Sequence, residues 1–543
     1  MNERHQHIPA SSANSFLPEE QRSLLVHPTL NSDIIEEDTQ PERAAHGQNV
    51  SWLSAYMLII SRMVGSGVFA MPGVVTQTAG SAGMALCVWI MGAIITVCGT
   101  VISLEYGCML PRSGGDKVYL EFTYRRPRWL MSTIIAARAV LQMMTANNCI
   151  IFGEYLVYGI SPESSDWARK VASLGLLLGC ALIHGFFLRL GIQIQNTLGW
   201  CKIGLMVLVA LTAMITVLYR STGSSSQLPS DFVVASPQSP GPWEGSNWGF
   251  EVLSLALFKV HYAYAGVENA NNVLNEIRDP VRMLKRVIPL AILSVCFLYI
   301  LVNIAFFMVL PLDDLKHSGE MAAALFFRTL FGNRLGGVLM PILIAISVAG
   351  NVMVGIFSMP IAQSRLNQEI ARQGFLPRIF ASSRPCNAPL GGVIVNLVPS
   401  ACIILMMPSK DTYSFILSAE GYSGQFVSVG LAAGLLWLRR TRPDLPRPFR
   451  AWLPLVWFRL GLCVVMALGP FMSPKDEQKP GQPQPWRGAY ALVGIAIIAT
   501  AALYWLTWAR ILPHWKNYAL QEQSGILKDG TTYKKIVHIP RDE

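Results

Sequence analysis

Long apolar runs fill most of this chain, and its polar residues gather in the gaps between them. About 20 apolar residues in a helix cross a bilayer core. Runs of that order lie at about 52–75, 82–107, 129–158, 169–188, 192–219, 248–275, 287–310, 335–364, 389–407, 413–438, 453–473 and 488–510. The pattern predicts an all-α polytopic membrane protein with twelve transmembrane helices, its membrane domain covering 51–512. Residues 1–50 contain prolines, serines and the acidic stretch Asp33 to Asp38, with too little apolar content to fold alone. They are expected to form a disordered tail, and 513–543 a second, shorter polar tail.

Two runs are interrupted by residues that a plain membrane helix avoids. Gly65-Ser66-Gly67-Val68-Phe69 breaks the first, and Tyr262-Ala263-Tyr264-Ala265-Gly266-Val267-Glu268-Asn269 breaks the sixth. Glycine in a helix interior is unfavourable, and broken backbone at membrane depth is tolerated where it lines a cavity. The N–H groups freed at a half-helix N-terminus carry partial positive charge and suit a carboxylate. The first and sixth runs hold corresponding places in two five-span halves, repeat one at about 52–219 and repeat two at about 248–438, with extra helices at about 453–510. An odd number of spans per half orients the halves oppositely, the arrangement of inverted repeats whose broken helices meet at the midplane.

Charge fixes orientation. The loop after the second run carries Arg112, Lys117, Arg125, Arg126 and Arg128; that after the sixth has Arg278, Arg282, Lys285 and Arg286; that after the tenth has Arg439, Arg440, Arg442, Arg447 and Arg450. Residues 221–247 contain no lysine or arginine. The positive-inside rule therefore places both termini in the cytosol, where the sequon Asn49-Val50-Ser51 is expected to go unused. The net charge of +10 follows this topology and forms no single patch with interleaved aromatics, so no nucleic-acid partner is expected.

Composition narrows the chemistry. Only 14% of residues are charged, against about 25% in soluble domains. Of the ten cysteines, Cys87, Cys98, Cys149, Cys180, Cys296, Cys402 and Cys463 sit in apolar runs without metal-ligand spacing, as packing residues do. Gly65 to Ala70 also fits G-x-G-x-x-A, but a dinucleotide site needs a preceding strand and an acid about 20 residues on. Membrane helix and an apolar stretch stand there instead. Neither cofactor, metal nor enzymatic activity is expected.

Further motifs surround the breaks: Pro111-Arg112-Ser113-Gly114-Gly115-Asp116 with Tyr119, Asn275-Glu276, Asp279-Pro280, Ser364-Arg365, Gly374-Phe375-Leu376-Pro377, and Pro443-Asp444-Leu445-Pro446-Arg447-Pro448-Phe449. In this order and placement the chain resembles the amino acid, polyamine and organocation (APC) superfamily, in its L-type amino acid transporter branch. Ser61-Arg62-Met63-Val64, Ala146 to Tyr155 and Gly266-Val267-Glu268-Asn269 resemble the fungal high-affinity methionine permeases in particular. The resemblance implies a LeuT-like fold of two inverted five-helix repeats plus two extra helices. It implies a substrate carboxylate held by the N–H groups of Ser66, Gly67 and Val68 beside Gly65. It also implies an ammonium received by the carbonyls of Met63, Tyr262 and Ala265 next to Gly266, with Tyr262 walling the side-chain pocket. Animal members pair with a heavy chain through a cysteine between the third and fourth spans. The loop at about Ser161 to Lys170 has none, so no disulfide-linked partner is expected.

Ionisable residues inside spans cost about 2.5 to 3.5 kcal/mol on insertion scales and are functional candidates. Lys202 falls mid-span, at a position matching the lysine that replaces a structural sodium in related transporters. It is either a structural cation or a proton-coupling group. Glu268, in the second break, is the acidic coupling candidate or an ion-pair partner. Glu420 and Arg138 are weaker candidates, and His184 and His261 are expected to be packed, hydrogen-bonded histidines. Glu105 and Glu154 lie near span ends, where solvated or capping roles suffice, and Glu276 is expected to pair with Arg62. The combined expectation is a plasma-membrane importer of neutral apolar L-amino acids, methionine first, by proton symport with alternating access. An ion-independent exchanger and a nutrient sensor of transporter fold are the alternatives. The tails offer docking sites for ubiquitin ligase adaptors, with Lys516, Lys528, Lys534 and Lys535 as acceptors.

Overall fold

A computed structural model describes residues 52–111, 115–141, 144–161, 164–186, 188–221, 241–267, 280–357, 390–406, 412–471, 489–526 and 532–540. The N-terminal tail, Glu268, Asn275-Glu276, Asp279, Ser364-Arg365 and Gly374 to Pro377 lie outside these residues.

The first apolar run forms two helices, α1 (Trp52–Met63) and α2 (Gly67–Ala79), separated by non-helical Val64–Ser66. Close neighbours account for the glycines at this break. A Cβ on Gly65 would collide with the Asn351 side chain, and one on Gly67 would come within 2.7 Å of the Ala263 Cα. α2 is buried along nearly its whole length, so protein surrounds it on all sides. It stops at Gly80, whose left-handed φ of 81° lets its N–H close on the Thr76 carbonyl. Ser81 then caps α3 (Ala82–Met109), accepting a 3.2 Å bond from the Met84 N–H.

α4 (Asp116–Thr123), α5 (Leu130–Leu141), α6 (Met144–Ile160), α7 (Asp166–Phe186) and α8 (Leu188–Ser221) come next. α9 (Phe250–Ala263) ends where the sequence breaks: Tyr264–Gly266 form a turn, with Gly266 at φ 124°. α10 (Pro280–Val309) follows. Then α11 (Leu312–His317), a 3-10 turn at Gly319–Met321 and α12 (Ala322–Arg334) form a cover that packs on α2. α13 (Met340–Phe357), α14 (Leu390–Met406), α15 (Thr412–Thr441), α16 (Leu453–Leu468) and α17 (Ala489–Leu506) are the remaining long helices.

Seven of the helical stretches among the described residues are long and apolar enough to span a bilayer. Leu293, Phe297 and Leu503 stand more than 60% exposed on such helices. An apolar face of this kind is stable only against lipid. The protein is therefore a polytopic, multi-pass membrane protein.

The C-terminal segment departs from a plain polar tail. After the short α18 (Leu512–Trp515), β1 (Tyr518–Ile526) and β2 (Thr532–Pro540) pair antiparallel from Tyr518↔Pro540 to Ile526↔Thr532. The Tyr518 and His538 rings stack at 4.3 Å. β-branched and aromatic residues at Tyr533, Ile536, Val537 and Ile539 favour the strand, a local signal that the segment's overall polarity obscures.

Candidate functional site

The two helix breaks face one another. Gly67 at the start of α2 lies against Ala263 at the end of α9, and a Cβ on Gly266 would come within 2.8 Å of the Arg62 Cγ. Backbone crossings this tight exclude side chains larger than hydrogen. Gly67→Ala is expected to cut amino acid uptake roughly 10-fold or more, because overpacking of about 1–3 kcal/mol falls directly on the crossing. Labelled uptake normalised to surface abundance checks this, and unchanged uptake would show that the crossing tolerates separation.

At the break the Ser66 carbonyl accepts from the N–H groups of Phe69 (3.2 Å) and Ala70 (2.9 Å). Among the described residues no backbone acceptor takes the N–H groups of Ser66, Gly67 or Val68. These are the free donors of a helix N-terminus, held in the protein interior. The Ser66 side chain gathers three other helices: its Oγ donates to Asn148 Oδ1 at 2.9 Å and lies 3.4 Å from the hydroxyls of both Tyr262 and Tyr413. The Tyr262 and Tyr413 rings meet edge to face at 6.2 Å. α2, α6, α9 and α15 thus converge on one residue.

The carbonyl side is organised by a residue that the sequence did not single out. Tyr299 on α10 is fully buried, and its hydroxyl lies 2.6 Å from the Met63 carbonyl and 3.0 Å from the Ala263 carbonyl. One hydroxyl hydrogen is shared between the ends of α1 and α9. Of the three carbonyls nominated for an ammonium, that of Met63 already accepts from Tyr299 and that of Tyr262 from the Ala265 N–H. Each keeps a second lone pair.

Lys202 on α8 is fully buried beside the same break. Its Nζ donates to the Ser61 carbonyl at 2.8 Å and to Asn351 Oδ1 on α13. The Asn351 amide in turn presses on Gly65. The ammonium therefore joins α1, α8 and α13.

Several weaker candidates find definite places. Glu154 pairs with Arg169 at 3.4 Å. His261 is half-buried on α9, its Nδ1 without a hydrogen bond. The Arg138 guanidinium lies close to Gly424 on α15. Glu420 is buried on α15, and the side chain of His184 lies outside the described residues. Glu105 differs most from expectation. Instead of a solvated or capping acid it is a fully buried one, bound by Arg439, by Arg447 and by the Ala451 N–H at 2.7 Å.

Above the break, the Tyr155 hydroxyl is 3.2 Å from the Phe69 carbonyl and 2.8 Å from that of Glu320, tying α2 to its cover. Lys259, also buried, donates to Thr78 Oγ1 at 3.1 Å. Neither Tyr299, Tyr413, Asn351 nor Lys259 was nominated from the sequence. Only Lys259 and Asn351 carried a signal, as polar residues inside apolar runs.

A family model described as amino acid permease matches residues 50–499. The low-affinity methionine permease of Saccharomyces cerevisiae is 30% identical over 501 residues, covering 91% of this chain and 88% of that protein. The high-affinity methionine permease of the same yeast is 28% identical over 498 residues, covering 90% and 84%. The human large neutral amino acids transporter small subunit 2 is 27% identical over 429 residues, covering 76% and 75%. The chain belongs to the amino acid permease family.

Proposed function

We propose that this permease imports neutral apolar L-amino acids, methionine first, across the plasma membrane by proton symport with alternating access. Both termini lie in the cytosol, and the LeuT-like arrangement of two inverted five-helix repeats plus two extra helices makes up the twelve-span membrane domain. The substrate carboxylate sits on the free N–H groups of Ser66, Gly67 and Val68, with Gly65 giving the backbone room to turn. The ammonium takes the remaining lone pairs of the Met63, Tyr262 and Ala265 carbonyls, beside Gly266. Substrate charges and helix-end partial charges then cancel locally, with no compensating ion needed. The Tyr262 ring walls the side-chain pocket.

The observation that carries the coupling is the Lys202 ammonium lodged between the Ser61 carbonyl of α1 and Asn351 of α13. A lysine there brings its own positive charge and leaves no place for sodium, which supports a proton as the coupling ion, exchanged by Lys202 or by Glu268. Methionine as substrate is supported by the likeness to two methionine permeases along nine-tenths of the chain. The test is labelled methionine uptake in cells lacking their own permeases, at acidic and neutral external pH, with each unlabelled amino acid as competitor. Uptake that rises with acidity, collapses with a protonophore and is blocked by methionine far better than by leucine is expected. Uptake that survives the protonophore and requires internal amino acid would replace symport with exchange. No uptake despite surface expression would favour a sensor.

A further inference from the structure

The loop between α4 and α5 reads Tyr124-Arg125-Arg126-Pro127-Arg128-Trp129. Aromatic side chains pin it to the membrane helices on either side. The Tyr124 ring stacks on Trp437 of α15 at 6.3 Å, and its hydroxyl donates to the Gly430 carbonyl at 2.9 Å. The Trp129 ring meets Trp508 edge to face at 6.0 Å, in the π-helical turn Thr507–Ile511 that ends α17. Trp505 Nε1 donates to the Arg128 carbonyl at 2.9 Å, and the Arg510 guanidinium lies over the same indole, 5.9 Å from the ring centroid. One tryptophan thus gathers Arg128 and Arg510 from distant parts of the chain.

Arg126, Arg128 and Arg510 are exposed, and among the described residues no carboxylate pairs with any of them. The acids on the flanking elements are engaged or turned away. Asp116 keeps an oxygen buried, Glu121 lies 3.8 Å from Lys117, and Asp444 lies 3.1 Å from Arg442. Arg125, over the Phe122 ring at 4.9 Å, adds to the same charge. Guanidiniums stay charged and form paired N–H bonds to phosphate oxygens. The patch also adjoins the lipid-facing surface. Leu503 and Tyr504, about two turns before Arg510, and Trp437 beside the loop are exposed, and apolar surface this open on a membrane helix is covered by acyl chains. Tryptophan and tyrosine mark the boundary between hydrocarbon and headgroups. A soluble anion would use the arginines alone. An amphiphile with a phosphate at its polar end uses both surfaces.

We infer that Arg126, Arg128 and Arg510 form a binding site for the phosphate headgroup of an anionic phospholipid of the cytosolic leaflet, its acyl chains lying along the exposed face of α17. The bound headgroup clamps the α4–α5 loop to the end of α17. The inference concerns the membrane around the protein and holds whatever amino acid the permease carries.

The test measures thermal unfolding of the purified full-length protein in phosphatidylcholine nanodiscs, with phosphatidylserine replacing a rising share of the lipid at constant ionic strength. A saturable rise in the unfolding temperature is expected, and none from inorganic phosphate added to pure phosphatidylcholine discs. Combining Arg128→Gln with Arg510→Gln is expected to raise the half-saturating phosphatidylserine share roughly 10-fold, as the loss of two charges at a membrane surface does. Combining Arg282→Gln with Arg286→Gln removes the same charge from exposed positions on α10 and is expected to shift it less than about threefold. Identical unfolding of the unmodified protein with and without phosphatidylserine would overturn the site. Equal weakening by the two double variants would reduce the response to attraction by total charge and overturn it too. Stabilisation by inorganic phosphate that matches phosphatidylserine would assign the arginines to a soluble anion instead of a lipid. The bond from Trp505 is accepted by the Arg128 backbone, so the loop keeps it when the side chain is replaced, and the unmodified protein alone decides the first and last of these outcomes.

Discussion

Lys202→Met is expected to lower labelled methionine uptake by at least about 100-fold, equivalent to roughly 2.8 kcal/mol at 1.4 kcal/mol per tenfold. Methionine keeps the length and apolar stem of lysine and removes the ammonium alone. The Ser61 carbonyl and Asn351 Oδ1 then lose a buried donor, each at about 1–3 kcal/mol. The loss falls on transport, because Ser61 precedes the break by a few residues and Asn351 packs on Gly65 within it. A break no longer anchored to α8 and α13 presents its free N–H groups in a scattered geometry. Lys202→Arg separates the two roles open to the residue. Arginine keeps the charge and cannot release it, so a purely structural cation predicts uptake that survives in part with its pH dependence intact. A proton carrier predicts uptake indifferent to external pH. Uptake by Lys202→Met within about tenfold of the unmodified protein, once surface abundance is matched, would remove Lys202 from the mechanism.

Lys202 was legible because an ionisable residue in an apolar run is anomalous in any sequence. Its acceptors were not, since they lie 141 and 149 residues away and nothing local marks them. The same contrast runs through the molecule. Both helix breaks could be placed from their glycines, because glycine amid apolar residues weakens a plain membrane helix, and α1 does end at Met63 and α9 at Ala263. Tyr299 and Tyr413 stayed hidden: a tyrosine in a membrane helix usually needs no more than a packing role, and only the fold brings their hydroxyls to the break. Lys259 was legible by the rule that found Lys202 and was passed over. The terminal hairpin was missed because charge and polarity spoke for a tail, while the alternation in Tyr533 to Ile539 speaks for a strand. Glu105 was misread for a related reason. Its nearness to a span end suggested solvent, but the loop after α15 folds back over it.

That loop supports the second large effect, a loss of stability in Glu105→Ala. Glu105 is 0% exposed on α3 and receives Arg439 Nε at 3.0 Å, Arg439 Nη2, and the Ala451 N–H at 2.7 Å, with Arg447 Nε at 3.6 Å. Arg439 also holds the Ala451 carbonyl at 2.6 Å. Arg447 binds the carbonyls of Leu438 and Arg442 at 3.2 and 2.8 Å, so the proline-rich turn between α15 and α16 is wound around it. Removing the carboxylate leaves both guanidiniums without their shared counter-ion and Ala451 without its acceptor. Breaking a buried pair in this way costs about 3–5 kcal/mol, and the cost is concentrated at Arg447, whose side chain is 3% exposed, rather than at Arg439, at 21%. Glu105→Ala is expected to unfold at lower temperature and to reach the cell surface in smaller amounts. Glu105→Gln, which keeps one acceptor oxygen and the shape, is expected to fall between it and the unmodified protein. A double-mutant cycle with Arg439→Gln isolates the pair, and a coupling of about 1.5 kcal/mol or more is expected, within the range for contacting charged residues. Additive losses in the cycle would mean that the arginines find other partners when Glu105 is gone, and that the turn is held by the Arg447 carbonyl bonds alone.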